Sequence, residues 1–117
     1  MRRRNAVTLI ELLIVVIIIA IMAAIAVPRF WDTRRQAYIS AMKADLRNLV
    51  SAAESHFSED GTYAMWSGPV STNGITLIYV GGTYSWSATA THVSAPGMVC
   101  RIERGAAAAT ATEPTCE

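Results

Sequence analysis

The sequence predicts an α+β fold, a long N-terminal α-helix packed on a small antiparallel sheet of three or four strands. Three observations carry this. Residues Val7 to Val27 are almost wholly apolar. Apolar residues then recur every three or four positions as far as Phe57. The second half of the chain holds short alternating segments separated by glycine- and proline-containing turns. With 117 residues there is room for one domain. A helix with one apolar stripe and a sheet with one apolar face bury both by packing together.

The apolar run covers 21 residues. As an α-helix it would be about 31 Å long, the thickness of a bilayer's hydrocarbon core. Isoleucine, valine, leucine and alanine fill nearly every position, and neither glycine nor proline interrupts them before Pro28. The segment therefore has no polar face and is a membrane span or a signal peptide. Arg2 to Arg4 precede it, and Ala24-Ile25-Ala26 fits an A-x-A cleavage pattern, as a signal peptide requires. Its length exceeds the usual h-region of about 7–15 residues, and Glu11 interrupts it, which favours the span. Arginines flank both ends, Arg2 to Arg4 on one side and Arg29, Arg34 and Arg35 on the other, so positive charge alone does not orient it. A leader inside and a disulfide outside select the N-terminus-in arrangement. An ionised carboxylate inside a bilayer costs about 3 kcal/mol. Glu11, about one turn from the start of the run, therefore either snorkels to the membrane edge or calls for a partner, and the partner is the reading taken.

Beyond Pro28, Tyr38, Met42, Leu46, Leu49, Ala53 and Phe57 mark one helix face, while Lys43, Arg47, Asn48, Ser51, Glu54 and Ser55 occupy the others. The two halves read as one helix from about Val7 to Ser58. Pro28 lacks an N–H and crowds the preceding turn, so the helix is expected to kink or loosen there. Gly61 suits the helix end. Met65 to Gly74 reads as a loop. Ile75 to Val80, Tyr84 to Thr91 and Met98 to Glu103 read as strands, divided by Gly81-Gly82 and by Ala95-Pro96-Gly97. Tyr84, Trp86, Ala88 and Ala90 alternate with Ser85, Ser87, Thr89 and Thr91, and the first set is expected on one face. Gly105 to Thr112 is an alanine- and threonine-rich loop pinned by Cys116. The expected organisation is a leader over 1–6, a transmembrane or filament-core helix over 7–28, an amphipathic helix over 29–60 and a sheet-bearing head over 61–117.

Net charge is +1, which gives no general field for nucleic acid. Three of the ten basic residues lie in the leader, so its loss would leave seven against nine acidic ones, formally −2. The dispersed Arg34, Arg35, Arg47, Arg101 and Arg104 read as solvated surface rather than a nucleic-acid site. Cys100 and Cys116 are the two cysteines, and neither lies in a C-x-x-C pair. In an exported chain they would form a disulfide worth about 3 kcal/mol to a small core. No enzyme is indicated. His56 and His92 have no metal-ligand spacing or triad partner, Gly81-Gly82 is a turn and not a phosphate loop, and Asp60-Gly61 lacks the ligand spacing of a calcium loop. No metal or cofactor is expected.

Ala6-Val7-Thr8-Leu9-Ile10-Glu11-Leu12-Leu13, behind its basic leader, resembles the processing and methylation site of type IV pilins and pseudopilins. That family's pattern is glycine followed by Phe-Thr-Leu-Ile-Glu-Leu, with cleavage after the glycine. Ala6 stands where the family has glycine and Val7 where it has phenylalanine. The resemblance extends through Ala37-Tyr38-Ile39-Ser40-Ala41, Asp45-Leu46-Arg47-Asn48-Leu49, Phe57 and Asp60-Gly61-Thr62-Tyr63. These are similar to type IVa-like pilins of deltaproteobacterial type, the major-subunit kind. Pro28 matches the proline that typically follows the membrane segment.

The resemblance implies that a prepilin peptidase cuts between Ala6 and Val7 and methylates the new amine. It further implies that Glu11 neutralises the Val7 amine, of a neighbouring subunit in the filament or of its own chain before assembly. Helix is lost near the proline in assembled family members, which points to Ala20 to Pro28. Phe30, Tyr38, Phe57 and Tyr63 resemble aromatic positions for which electron conduction has been proposed, and helix packing with interfacial anchoring by Phe30 and Trp31 accounts for them more simply. The expected function is a structural pilus subunit, anchored in the inner membrane as a precursor and then part of an extracellular filament serving motility, adhesion or DNA uptake. Its expected partners are further copies of itself, the peptidase, and the inner-membrane assembly platform with its ATPases. The alternatives are a type II secretion pseudopilin and a secreted soluble binding domain.

Overall fold

The computed structural model describes residues 7–105 and 113–117. It contains one α-helix, α1 (Leu9–Asp60), and four strands, β1 (Ile75–Gly81), β2 (Trp86–His92), β3 (Val99–Arg104) and β4 (Thr115–Cys116). Two compact units divide the chain between Arg34 and Arg35.

In the first unit, the apolar residues of α1 make no core of their own. Every large apolar side chain from Leu9 to Val27 is exposed, from 49% at Ile18 to 81% at Leu9. This part of the helix is long and apolar enough to cross a membrane. Helix continues through Pro28. Just beyond it, the Thr33 hydroxyl donates to the Arg29 carbonyl at 2.9 Å, a back-bond of the kind that bends helices slightly. The loosening expected over Ala20 to Pro28 concerns assembled filaments, and this isolated chain is helical there.

The second unit is built where the periodic stripe meets the sheet. Met42, Leu46, Leu49 and Ala53 are fully buried, and Tyr38 and Phe57 pack at the edges of the same core. The sheet is antiparallel throughout, in the order β1-β2-β3-β4. Trp86, Ala88 and Ala90 face the core from β2, Cys100 and Ile102 from β3, and Ile75 from β1. The alanines at the middle of β2 leave room for the large side chains of α1. Helix α1 ends at Gly61, whose φ of 69° and N–H bond to the Phe57 carbonyl at 2.8 Å form a left-handed cap. Pro96 and Gly97 turn the chain between β2 and β3, with φ of 83° at Gly97.

Three details refine the sequence reading, whose three- or four-stranded antiparallel sheet stands. Tyr84 is exposed in the β1–β2 turn and does not begin β2, because Gly82 N–H closes the turn onto the Ser85 carbonyl at 2.7 Å. A fourth strand forms from only two residues, with Cys116 opposite Cys100 and bonded to it. Beside that pair, Val99 and Glu117 exchange backbone hydrogen bonds of 2.9 and 3.0 Å. Third, the buried stripe includes Asp45, which is only 8% exposed. Its carboxylate accepts the Thr72 N–H at 2.8 Å and the Thr72 hydroxyl at 2.6 Å, and so ties the loop before β1 to the helix. A buried carboxylate is tolerated when its acceptor sites are filled in this way. Most of the loop expected over Gly105 to Thr112 lies outside the described residues.

The helix and β3 are further joined by Arg104, which pairs with Glu54, and the Tyr63 hydroxyl, from the loop after α1, donates to the same carboxylate at 3.1 Å. Burial pushes the Tyr63 and Tyr79 hydroxyls above their usual pKa, so both remain neutral donors. Replacing both cysteines by serine is expected to release β4 and lower stability by about 3 kcal/mol. Urea denaturation of the full chain in detergent measures this, and an unchanged midpoint would contradict it. Asp45→Ala strands the Thr72 donors and is expected to cost about 2 kcal/mol in the same assay, with faster amide exchange at Thr72.

Candidate assembly site at the helix N-terminus

Thr8 and Glu11 build the start of α1. Thr8 precedes the first helical residue, and its carbonyl accepts the N–H groups of Glu11 and Leu12 at 3.1 and 3.3 Å. The Glu11 N–H also reaches the Thr8 hydroxyl, at 3.4 Å. In return, Oε2 of Glu11 accepts the Thr8 N–H at 2.8 Å and the Thr8 hydroxyl at 2.9 Å. This is a reciprocal capping box, the Thr-x-x-Glu arrangement that satisfies donors at a helix start. A carboxylate in the first turn also lies where the helix dipole favours negative charge.

The geometry leaves specific capacity. Thr8 engages Oε2 alone, and Oε1 has no hydrogen-bond partner among the described residues. The Val7 side chain is exposed immediately before the cap. The carboxylate is thus held in one place by its own chain while one oxygen can take an external ammonium or N–H group. The sequence reading found Glu11 but not the role of Thr8, although the four-residue capping pattern is written in the chain. Ala6 lies outside the described residues.

Other predicted positions fall elsewhere. Pro28 is inside α1, and Cys100 and Cys116 are disulfide-bonded in the head. His56 Nδ1 lies 3.1 Å from Asp60 Oδ2, with its ring stacked on Trp66. His92 stacks on Tyr38 with ring centroids 4.3 Å apart, and its Nδ1 accepts the Ser94 N–H at 3.0 Å. Among the described residues no three His, Cys, Asp or Glu side chains converge as a metal site. Phe57 and Tyr63 stack at 4.5 Å, within an aromatic group that includes Tyr79, Tyr84 and Trp86. The sequence reading did not join the last three to this group, because β1, β2 and the turn between them bring these residues together from far along the chain.

The prokaryotic N-terminal methylation motif matches residues 1–27. The chain is also similar to the type IV major pilin protein PilA of Myxococcus xanthus (strain DK1622). The two are 45% identical over 62 residues, which is 53% of this chain and 28% of that protein. These two matches support a type IV pilin. The chain spans little more than a quarter of that relative's length, and no solved structure matches it. A type IV pilin is a structural protein, and the family implies assembly into a pilus filament and processing by a prepilin peptidase. The apolar start of α1 is long and apolar enough to cross a membrane.

The cap gives a direct prediction for this chain. Thr8→Val keeps the shape of the side chain but removes its hydroxyl, and is expected to cost about 1 kcal/mol of local helix stability. Amide exchange of residues 9–12 in detergent micelles should then quicken about fivefold. Unchanged exchange would mean that the cap does not hold the first turn.

Proposed function

We propose that the protein is a structural subunit of a type IV pilus that polymerises through the N-terminal half of α1. The observation that carries this is the Glu11 carboxylate, fixed by Thr8 at the start of a helix whose other side chains to Val27 are apolar and uncovered. A surface of this kind requires lipid or other apolar helices around it. In the precursor it spans the inner membrane. Cleavage after Ala6 frees the Val7 amine and removes three arginines. The cleaved chain then moves from lipid into a bundle of identical helices.

That transfer exchanges one apolar surrounding for another, so burial alone does not fix how far each subunit advances. Polar groups do. The Val7 ammonium of one subunit and the Glu11 carboxylate of the next neutralise each other in the filament core. A shifted register leaves two uncompensated charges in a medium of low dielectric, at a cost of about 3–5 kcal/mol when one partner is missing. The pair therefore sets the step between subunits. The head faces solvent, where it serves adhesion, motility or DNA uptake. Assembly-platform proteins and their ATPases supply the work of extension and retraction. Similarity to a major pilin favours this reading over a type II secretion pseudopilin.

Glu11→Ala is expected to leave membrane insertion intact and reduce surface filaments at least tenfold, at the roughly 3 kcal/mol scale of an unpaired buried charge. Glu11→Gln is expected to behave alike, since it retains size and an acceptor oxygen but no charge. Membrane fractionation and electron microscopy of sheared pili read the two effects separately. Normal filament numbers in either variant would refute the neutralising role.

A further inference from the structure

We infer that Arg29, Phe30, Trp31 and Arg34 form a collar that binds anionic phospholipid headgroups and seats the precursor at the membrane surface nearest the head. The inference rests on the reading that the apolar run spans the bilayer. The four residues follow that run directly on the same helix, beyond Pro28. Phe30 and Trp31 begin about 4.5 Å past Val27, and Arg34 lies about 10 Å past it, the depth of one headgroup layer plus the reach of an arginine side chain.

Their exposure extends the interfacial anchoring that the sequence suggests for Phe30 and Trp31. Phe30 is 53% and Trp31 64% exposed, and both arginines are exposed as well. Large aromatic rings lying open beside guanidinium groups suit an interface with an apolar side and a charged side. The Arg34 guanidinium carbon sits 4.4 Å over the Phe30 ring, so the charge is already held against the helix. Arg29 and Arg34 project about 140° apart around the helix axis, which brackets it between two cations. Asp32 is the one acidic residue among them. The net charge of the group stays positive, with Arg35 next in sequence. A planar guanidinium matches the paired oxygens of a phosphate. Continuity with the apolar run and charge complementarity therefore both select an anionic lipid surface.

The collar also resolves the tie between the two arginine clusters. Each sits at one end of the span, and the collar assigns the specific headgroup contacts to the end nearer the head. Cleavage after Ala6 discards only the leader's arginines. The cleaved chain remains held by the collar alone, which must release its lipids for the subunit to leave the bilayer.

The test uses the full chain in detergent micelles, with added phosphatidylglycerol or phosphatidylcholine and bound lipid counted by native mass spectrometry. Phosphatidylglycerol is expected to be preferred about thirtyfold, as two arginines at about 1 kcal/mol each at a charged surface would give. R29Q/R34Q should reduce the preference to about twofold or less, whereas R2Q/R3Q/R4Q should retain it. Inorganic phosphate at equal concentration should not compete. Equal binding of the two lipids, a preference that follows the leader's arginines, or displacement by free phosphate would each overturn the collar. Resistance to alkaline carbonate extraction reads the span independently, and R29Q/R34Q should remain in the membrane pellet. Release of the unaltered chain by carbonate would overturn the spanning reading and the collar with it, while retention without lipid preference overturns the collar alone.

Discussion

A carboxylate among apolar side chains is the constraint on which the account depends. Glu11 cannot be ignored by any environment the helix enters, because an ionised group in hydrocarbon demands compensation. The chain supplies half of it. Two bonds from Thr8 satisfy Oε2 and fix the side chain against the first turn, while Oε1 stays open among the described residues. The capping box thus has two roles. It caps the helix start, and it holds a charge in a defined place, which in the proposed filament would select a partner by position as well as by sign.

The two units solve opposite problems. The apolar part of α1 has no cover of its own and depends on whatever surrounds it. The second unit is self-sufficient, but its core is small: four helix residues set against Trp86, two alanines and a few β1 and β3 side chains. A core of this size is marginal, and it is reinforced where packing is thinnest. The disulfide fastens a two-residue strand that could not hold itself, and Asp45 fastens the loop that leads into β1. The head can therefore stay folded while the helix before it exchanges one environment for another.

Much of this was legible in the sequence, for identifiable reasons. The stripe from Tyr38 to Phe57 repeats at helical spacing over five turns, and the Trp86-Ala88-Ala90 alternation is regular, so both reported their faces correctly. Local signals also located Gly61 and the Pro96-Gly97 turn. The failures were of two kinds. Asp45, the residues that form the fourth strand and the aromatic group around Tyr63 depend on partners far along the chain, such as Thr72, which lies 27 residues from Asp45, and no local pattern announces them. Thr8 is different. Its capping pattern with Glu11 was local and readable, but the apolar run drew the reading of Glu11 toward distant partners and away from the neighbour three residues before it. Tyr84 was misplaced because alternation continued one step past the strand, into a turn that backbone hydrogen bonding closes.

The most direct test of the central claim is the mass of this chain's N-terminal peptide in purified surface filaments. The account predicts that the chain is present in the filaments and begins at Val7, with one methyl group on its amine and Glu11 unmodified. A chain beginning at Val27, or absent from the filaments altogether, would contradict it. In the first case the helix that carries the carboxylate would have been removed, and in the second it would never have entered a filament core.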